Sequence, residues 1–263
     1  MDLLILREHH NYPNGAYVSK EEVPHFPESI YFKGQDDSIC VKVDSARRLH
    51  SSYFIGTDWL SYEKPVYVEP KLNEDSNHTN YLRMLLWTLE HPDVSLNIHD
   101  LFEIKYDKPA IEIPQERDLL TPMLVLYFLQ TIRTIVRKGL KKSYYRVESN
   151  LHGKIKGKVL VSDTIKQNVL NNKTLCNYCA YDEFGYNNLE NRLLKKTLIF
   201  VNRFLKEIGI DRIENNLAGE LAHLINAFQQ VDSEISLNEI KYHKPNPIYS
   251  EYNTAIRLAK IIL

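Results

Sequence analysis

The first candidate chemistry lies in Asp58 and in the Glu-x-Lys triplet formed by Glu69 and Lys71. Metal-dependent nucleases use this order of residues, with two carboxylates on Mg²⁺ and a lysine beside the attacking water. The pattern is permissive, because the triplets at 103–105 and 239–241 also satisfy it. The proline between Glu69 and Lys71 further restricts the backbone of a metal-binding strand. We therefore favour a surface strand end, and a Mg²⁺-dependent DNA nuclease using Asp58, Glu69 and Lys71 stays the alternative.

The second candidate is the pair Cys176 and Cys179, whose spacing fits half a zinc site or a redox pair. No second C-x-x-C and no nearby H-x₃-H completes a ligand set. On a strand, two thiols three residues apart project from opposite faces. The favoured interpretation is two structural thiols, and we predict neither a metal site nor a catalytic residue in this chain.

The third candidate is a basic block from Arg133 to Lys166, with ten basic and two acidic residues. The block carries +8, so the remainder carries −9 of the total of −1. On a strand, Lys154, Lys156 and Lys158 would share one face at roughly 7 Å spacing and follow a polyanion or an acidic surface. The predicted contacts with a partner or DNA are Lys141, Lys142, Arg146, Lys154, Lys156 and Lys158.

The sequence pattern around these residues predicts an α+β fold with two regions. Residues 1–115 form a β-rich module, a small barrel or twisted sheet with one short helix. Residues 116–263 contain a long helix over 119–140 that Asp118 caps, then a basic β-hairpin and a helical C-terminal part. The hairpin pairs 145–148 with 154–161.

Composition excludes several classes of protein. With 43% hydrophobic and 25% charged residues, the 263-residue chain is neither disordered nor fibrous. No apolar stretch reaches the length of a membrane span, and no Gly-rich phosphate loop occurs. Three cysteines predict a reducing compartment, the cytoplasm. The final helix ends on three apolar residues without a cap, so we expect a longer parent protein.

Several motifs resemble one family along nearly the whole chain. They are F-I-G-T-D-W-L at 54–60, V-Y-V-E-P-K-L at 66–72, Y-L-R-M-L at 81–85, G-L-K-K-S-Y-Y at 139–145, N-L-H-G-K-I-K-G-K at 150–158 and N-N-L-E-N-R-L-L-K at 187–195. The sequence resembles the McrC-type subunits of McrBC systems, the 5-methylcytosine-dependent restriction systems of phage defence.

This resemblance implies a division of labour. A front part docks on a hexameric AAA+ GTPase of the McrB type, which binds the GTP, and stimulates its hydrolysis. A PD-(D/E)xK endonuclease domain that uses Mg²⁺ would follow residue 263, so this chain is expected to be non-catalytic and to hold no cofactor. The family does not keep catalytic carboxylates in the region of Asp58 and Glu69. A stand-alone DNA-binding protein is the third possibility.

Overall fold

The computed structural model describes residues 3–8, 30–33, 39–43, 46–52, 54–61, 64–70, 104–105, 107–114, 118, 120–207, 215–236 and 246–263. Its strands and helices confirm the predicted α+β class. The chain divides into two compact units, Met1–Tyr127 and Phe128–Leu263. The predicted boundary between residues 115 and 116 stays a prediction. Among the described residues, no helix is both long and apolar enough to cross a bilayer.

The first unit contains two three-stranded sheets in its described part. Their strands are β1 (Leu4–Arg7), β2 (Ile30–Lys33), β3 (Ile39–Val43), β4 (Leu49–Ser51), β5 (Gly56–Ser61) and β6 (Lys64–Glu69). One sheet has the order β1-β6-β5, with β1 parallel and β5 antiparallel to β6, and the other is the antiparallel β2-β3-β4. The β-rich prediction therefore holds for the described N-terminal residues, whereas the short helix predicted near 81–89 lies outside them.

Strand β6 is the centre of its sheet and is buried along most of its length. Val66, Tyr67 and Val68 are fully inaccessible to solvent. A strand covered on both faces needs a continuous apolar run, which V-Y-V supplies. The Ser51 hydroxyl donates to the carbonyl of Arg7, which ties the second sheet to the first.

The second unit begins within a long amphipathic helix, α1 (Leu120–Lys138). The side chain of Asp118 accepts hydrogen bonds from the amides of Leu120 (3.1 Å) and Thr121 (2.9 Å), which confirms the predicted N-cap. Arg137 and Lys138 lie in the last turn, at the negative end of the helix dipole.

The elements after α1 form a sheet and then a helical core. They are β7 (Ser143–His152), β8 (Lys158–Val159), α2 (Val161–Gln167), a 3₁₀ turn (Val169–Asn171), β9 (Cys176–Gly185), α3 (Leu189–Glu207), α4 (Asn215–Ala227), a second 3₁₀ turn (Pro247–Tyr249) and α5 (Ser250–Ile262). The predicted apolar stripe of α3 is buried, and α5 packs against α3 with Tyr252, Ala255 and Ile256 turned inward.

The predicted hairpin is wrong in its pairing. Strands β7 and β8 both pair antiparallel with β9, which lies between them. All ten residues of β7 find partners in β9, because both strands alternate over the same length. Only Lys158 and Val159 of the lysine-rich segment are strand, because Gly153 and Gly157 adopt left-handed φ angles of 65° and 67° and make the intervening residues a loop.

Candidate functional site

The long sheet of the second unit is the most unusual surface of the described chain. We call Ser143–Gly185 the ribbon, residues 153–175 its tip, and residues 141–143 with 185–186 its root. Ten paired residues at about 3.3 Å each give the two main strands a length of roughly 33 Å. Side chains of β7 alternate between exposed and half-buried along the strand.

The G-K-I-K-G-K motif forms a loop that folds back onto the ribbon. A Cβ atom on Gly157 would lie 2.4 Å from the carbonyl oxygen of Ala180, so only glycine fits this approach. The Nζ atom of Lys156 lies 2.8 Å from Oε1 of Glu183 and 4.0 Å from the ring centroid of Tyr181. Lys156 is therefore an anchor of the loop within the chain.

The electrostatics of this anchor favour the charged forms of both partners. The hydrogen bond to Glu183 raises the pKa of Lys156, and the same bond lowers the pKa of Glu183. Burial raises the pKa of the neighbouring Tyr145, and the Glu183 charge raises it further. The ion pair between Lys156 and Glu183 is therefore favoured by both partners.

Polar contacts attach the tip to the ribbon. Asn150 and Asn168 exchange two side-chain hydrogen bonds of 2.7 and 2.9 Å, and Asn168 is completely buried. The hydroxyl of Thr164 accepts a 3.0 Å bond from the amide of Tyr178. Helix α2 and the 3₁₀ turn, by contrast, bury none of their own side chains completely.

The apolar side chains of the tip face solvent instead. The large ones that are between 46% and 72% exposed are Ile155, Val161, Ile165, Val169, Leu170 and Leu175. These side chains lie among exposed polar residues, and α2 turns none of its apolar side chains fully inward, unlike an ordinary surface helix. An accumulation of exposed large apolar side chains in one short segment is a feature of protein interaction sites.

The six residues predicted to contact a partner do not act alike. Lys141 is ion-paired with Glu190, Arg146 with Glu148 and Lys156 with Glu183. The ammonium of Lys142 lies 4.7 Å from the ring centroid of Tyr186. Within the described part of the chain, Lys154 and Lys158 have no carboxylate or ring partner and are exposed.

The fold therefore offsets about half of the +8 of the basic block. Arg133 pairs with Glu220, and Lys138 with Glu251, in addition to the three pairs above. The bond from Lys138 lowers the pKa of Glu251. Four of the five carboxylates come from outside the block, and all four lie in the second unit. The two unpaired lysines of the predicted set, Lys154 and Lys158, lie in the tip.

The sequence did not assign a role to the N-N-L-E-N-R motif, whose asparagines bind the root of the ribbon. Asn188 caps α3 by accepting a 3.0 Å bond from the amide of Asn191. Both asparagine amides donate to the carbonyl of Lys141, at 3.0 and 2.9 Å. The hydroxyl of Tyr252 donates to Oδ1 of Asn191 at 2.8 Å. A polar pair three residues apart at a helix start was the only available signal.

The same helix holds the backbone of residues 231–235 in place. Lys196 donates a 2.8 Å bond to the carbonyl of Ile235, while Lys195 and Arg192 donate to the carbonyls of Val231 and Glu234. These three basic residues of α3 thus bind backbone within the chain.

The nuclease alternative does not match the geometry of its residues. Asp58 lies opposite Val66 in the β5–β6 register, so Glu69, three residues beyond Val66, projects from the other face of the sheet. Each carboxylate is already paired inside the fold. Asp58 bonds to Lys105 (2.9 Å) and Lys108 (2.5 Å), and Glu69 to Arg7 at 3.3 Å. Lys71 lies outside the described residues.

The cysteine pair carries no ligand set either. Cys176 and Cys179 are both free thiols, the second fully buried. Nowhere in the described part of the chain do three histidine, cysteine, aspartate or glutamate side chains gather around a possible metal position.

Comparison with known proteins identifies the class of this chain as a restriction-system component. The family described as McrBC 5-methylcytosine restriction system component matches residues 52–263, well over half of the chain, so the chain belongs to that family. The resemblance of its motifs to McrC-type subunits is thereby confirmed at the level of the family. None of the curated proteins compared with the chain matches it.

Two solved structures are similar to the chain at low identity. One matching chain comes from the cryo-EM structure of the Thermococcus gammatolerans McrBC complex. Its sequence is 14% identical to this chain, the TM-score is 0.41, and the match covers 99% of this chain and 81% of that chain. A second matching chain comes from a refined half-complex from the tetradecameric assembly of Thermococcus gammatolerans McrB AAA+ hexamers with bound McrC. Its sequence is 16% identical to this chain, the TM-score is 0.41, and the match covers 98% of this chain and 64% of that chain.

Proposed function

We propose that the chain is a docking and regulatory subunit of an McrBC restriction system, and that its ribbon binds an AAA+ GTPase of the McrB type. The observation that carries the proposal is the tip, where six large apolar side chains are exposed on a scaffold fixed by polar bonds. Full burial of a valine, leucine or isoleucine side chain is worth roughly 1.5–3 kcal/mol, so an unoccupied tip leaves considerable binding energy unused.

The charges of the ribbon suit the same role. Lys154 flanks exposed Ile155 in the loop, and Lys158 follows it at the start of β8. Unpaired cations beside exposed apolar side chains give an interface specificity and faster association through complementary acidic groups on the partner. We therefore expect the partner surface to combine apolar pockets with carboxylates.

The proposed division of labour leaves chemistry to other parts of the system. In this division GTP binds to the AAA+ partner, and the described residues of this subunit do not carry out DNA cleavage with Mg²⁺. Asp58 and Glu69, each paired inside the first unit, act as structural residues. The subunit is expected to work in the cytoplasm, with DNA reached through the assembly.

Charge reversal tests the proposal. The double variant Lys154→Glu/Lys158→Glu should weaken binding to the McrB-like GTPase and its stimulation by roughly tenfold or more. The control is Arg203→Glu/Lys206→Glu, which makes the same change of charge on exposed residues of α3. Full binding and full stimulation by the ribbon variant would overturn the role of these lysines.

A DNA-binding protein without a motor partner would behave differently. Its affinity for DNA would fall steeply with salt concentration and with the same charge reversal, while the GTPase rate of the McrB-like protein would not respond to the wild-type chain. That combination would replace the docking proposal with the DNA-binding alternative.

A further inference from the structure

The root of the ribbon is bonded on both of its strands to the same two asparagines, Asn188 and Asn191. Asn188 donates to the carbonyls of Lys141 (3.0 Å) and Gly185 (3.4 Å), and Asn191 donates to those of Lys141 (2.9 Å) and Tyr186 (2.7 Å). Lys141 precedes β7 and Gly185 ends β9. The start of α3 therefore fixes the root of the ribbon on both strands at once.

A tyrosine connects this root to α5. The hydroxyl of Tyr252 accepts a 2.8 Å bond from the amide of Lys141 and donates a 2.8 Å bond to Oδ1 of Asn191. Tyr252 is 3% exposed, and burial raises the pKa of its phenol, so the hydroxyl keeps the proton that it donates. The Lys141 amide and the Asn191 side chain are both bonded to this one hydroxyl. A movement of the root must therefore displace both groups together.

We propose that Tyr252 is a positioning residue that transmits docking of the AAA+ partner at the ribbon to helix α5. The inference rests on the proposed function. Tyr252 is buried against the root and does not itself touch the partner. All ten residue pairs of β7 and β9 are formed, and the tip is attached along β9, through the pairing of β8 with Cys179 and Ala180 and through the ion pair of Lys156 with Glu183. Partner contacts at the tip therefore act through β9 on the root, where the ribbon meets α5.

The side chain of Lys141 provides a second attachment that does not involve this hydroxyl. Its ammonium lies 2.6 Å from Glu190 and 5.0 Å from the ring centroid of Tyr249. The rings of Tyr249 and Tyr252 pack edge to face at 6.0 Å. Within the described residues, the Tyr249 hydroxyl makes no hydrogen bond, which makes Tyr249→Phe a control of matched chemistry close to the same position.

The experiment compares Tyr252→Phe, Tyr249→Phe and the wild-type chain, each mixed with the McrB-like GTPase. Three quantities are measured: affinity for the GTPase, GTP hydrolysis at saturating subunit, and hydrogen exchange of the Lys141 amide and of α5 with and without the GTPase. Tyr252→Phe should bind within about twofold of wild type, since the tip is unchanged, but lose at least about fivefold in saturating stimulation. The slower exchange of α5 that docking causes in wild type and in Tyr249→Phe should also disappear.

Two results would overturn the inference. One is a Tyr252→Phe chain that keeps full saturating stimulation and full protection of α5, which would leave the hydroxyl with a structural role only. The other needs no variant: docking of wild type that leaves the exchange of α5 unchanged. Failure of the wild-type chain to bind the GTPase at all would instead overturn the proposed function.

Discussion

Gly157 meets the backbone of Ala180 so closely that an added Cβ atom would lie 2.4 Å from the carbonyl oxygen of Ala180 and 2.7 Å from Cβ of Tyr181. Gly153, at the other end of the same loop, has an almost identical φ angle and no atom within 4 Å of such a Cβ. Substitution at Gly153 therefore tests the cost of a left-handed backbone alone, whereas substitution at Gly157 adds the cost of a steric clash.

Substitution of these glycines should give unequal losses of stability. Gly153→Ala should lower the free energy of unfolding by about 1–2 kcal/mol, the cost of a left-handed conformation. Gly157→Ala adds the clash and should cost at least about 2 kcal/mol more, because a backbone oxygen cannot move aside cheaply. Urea unfolding of both variants measures the difference, and equal losses would show that the loop does not need the close approach.

The paired amides should hold the tip on the ribbon. Asn168→Ala leaves the Asn150 side chain without its partner and should lower the free energy of unfolding by about 1–3 kcal/mol. Amide exchange in α2 should rise with it. The matched control is Asn171→Ala, which removes an exposed side chain bonded to the carbonyls of Lys166 and Gln167. A larger effect at Asn171 than at Asn168 would contradict the account of the tip.

The buried carboxylate of Asp58 should make the first unit sensitive to acid. Burial raises the pKa of Asp58, but hydrogen bonds from Lys108, Lys105 and the Trp59 amide outweigh it, so the pKa lies below its ordinary value of 3.8. The folded state thus binds the proton more weakly than the unfolded state. The stabilisation is complete above the unfolded-state value and is lost as the pH falls through the folded-state value.

Asp58→Asn should remove this dependence on pH. We expect a loss of about 1–2 kcal/mol near neutral pH, modest because both lysines are more than a third exposed, and a flatter decline of stability below about pH 4. Thermal unfolding of both chains between pH 3 and 7 measures it. A variant that declines with acid as steeply as wild type would exclude Asp58 as the source.

We also expect no Mg²⁺-dependent DNA cleavage that involves Asp58 and Glu69. Their side chains leave opposite faces of the β5–β6 pair, so one ion cannot bind both. A cleavage assay with purified wild-type chain and Glu69→Ala tests the expectation. Cleavage by wild type that is lost in Glu69→Ala would revive the nuclease alternative.

The sequence predicted the elements whose pattern is local. Asp118 indicated the start of α1, and the apolar stripe that begins at Leu193 indicated the buried face of α3. Both signals can be read from the sequence because capping and helical period depend on near neighbours. The strand partner of β7 was mispredicted, since a hairpin with β8 and a pairing with β9 both suit alternating residues. Only the match of ten residue pairs decides between them.

Charge was harder still to interpret from the sequence. Lys141 and Lys156 look identical to Lys154 and Lys158 in a list of basic residues. Their partners, Glu190 and Glu183, lie 49 and 27 residues away, so nothing local distinguishes an internal anchor from a free cation. The exposure of the apolar side chains of the tip was not predicted for the same reason. The side-chain bonds that attach the tip join Asn150 to Asn168, which are not near neighbours in the sequence.

The most direct test of the docking account is the affinity of the McrB-like GTPase for Leu170→Asp. Leu170 is 72% exposed at the tip, and Ile248, 82% exposed outside the ribbon, provides the control Ile248→Asp. We predict that Leu170→Asp binds at least about tenfold more weakly than wild type, a loss of roughly 1.4 kcal/mol, with thermal stability unchanged. Ile248→Asp should bind as wild type does. Wild-type affinity in Leu170→Asp would contradict the proposal that the ribbon tip is the docking site.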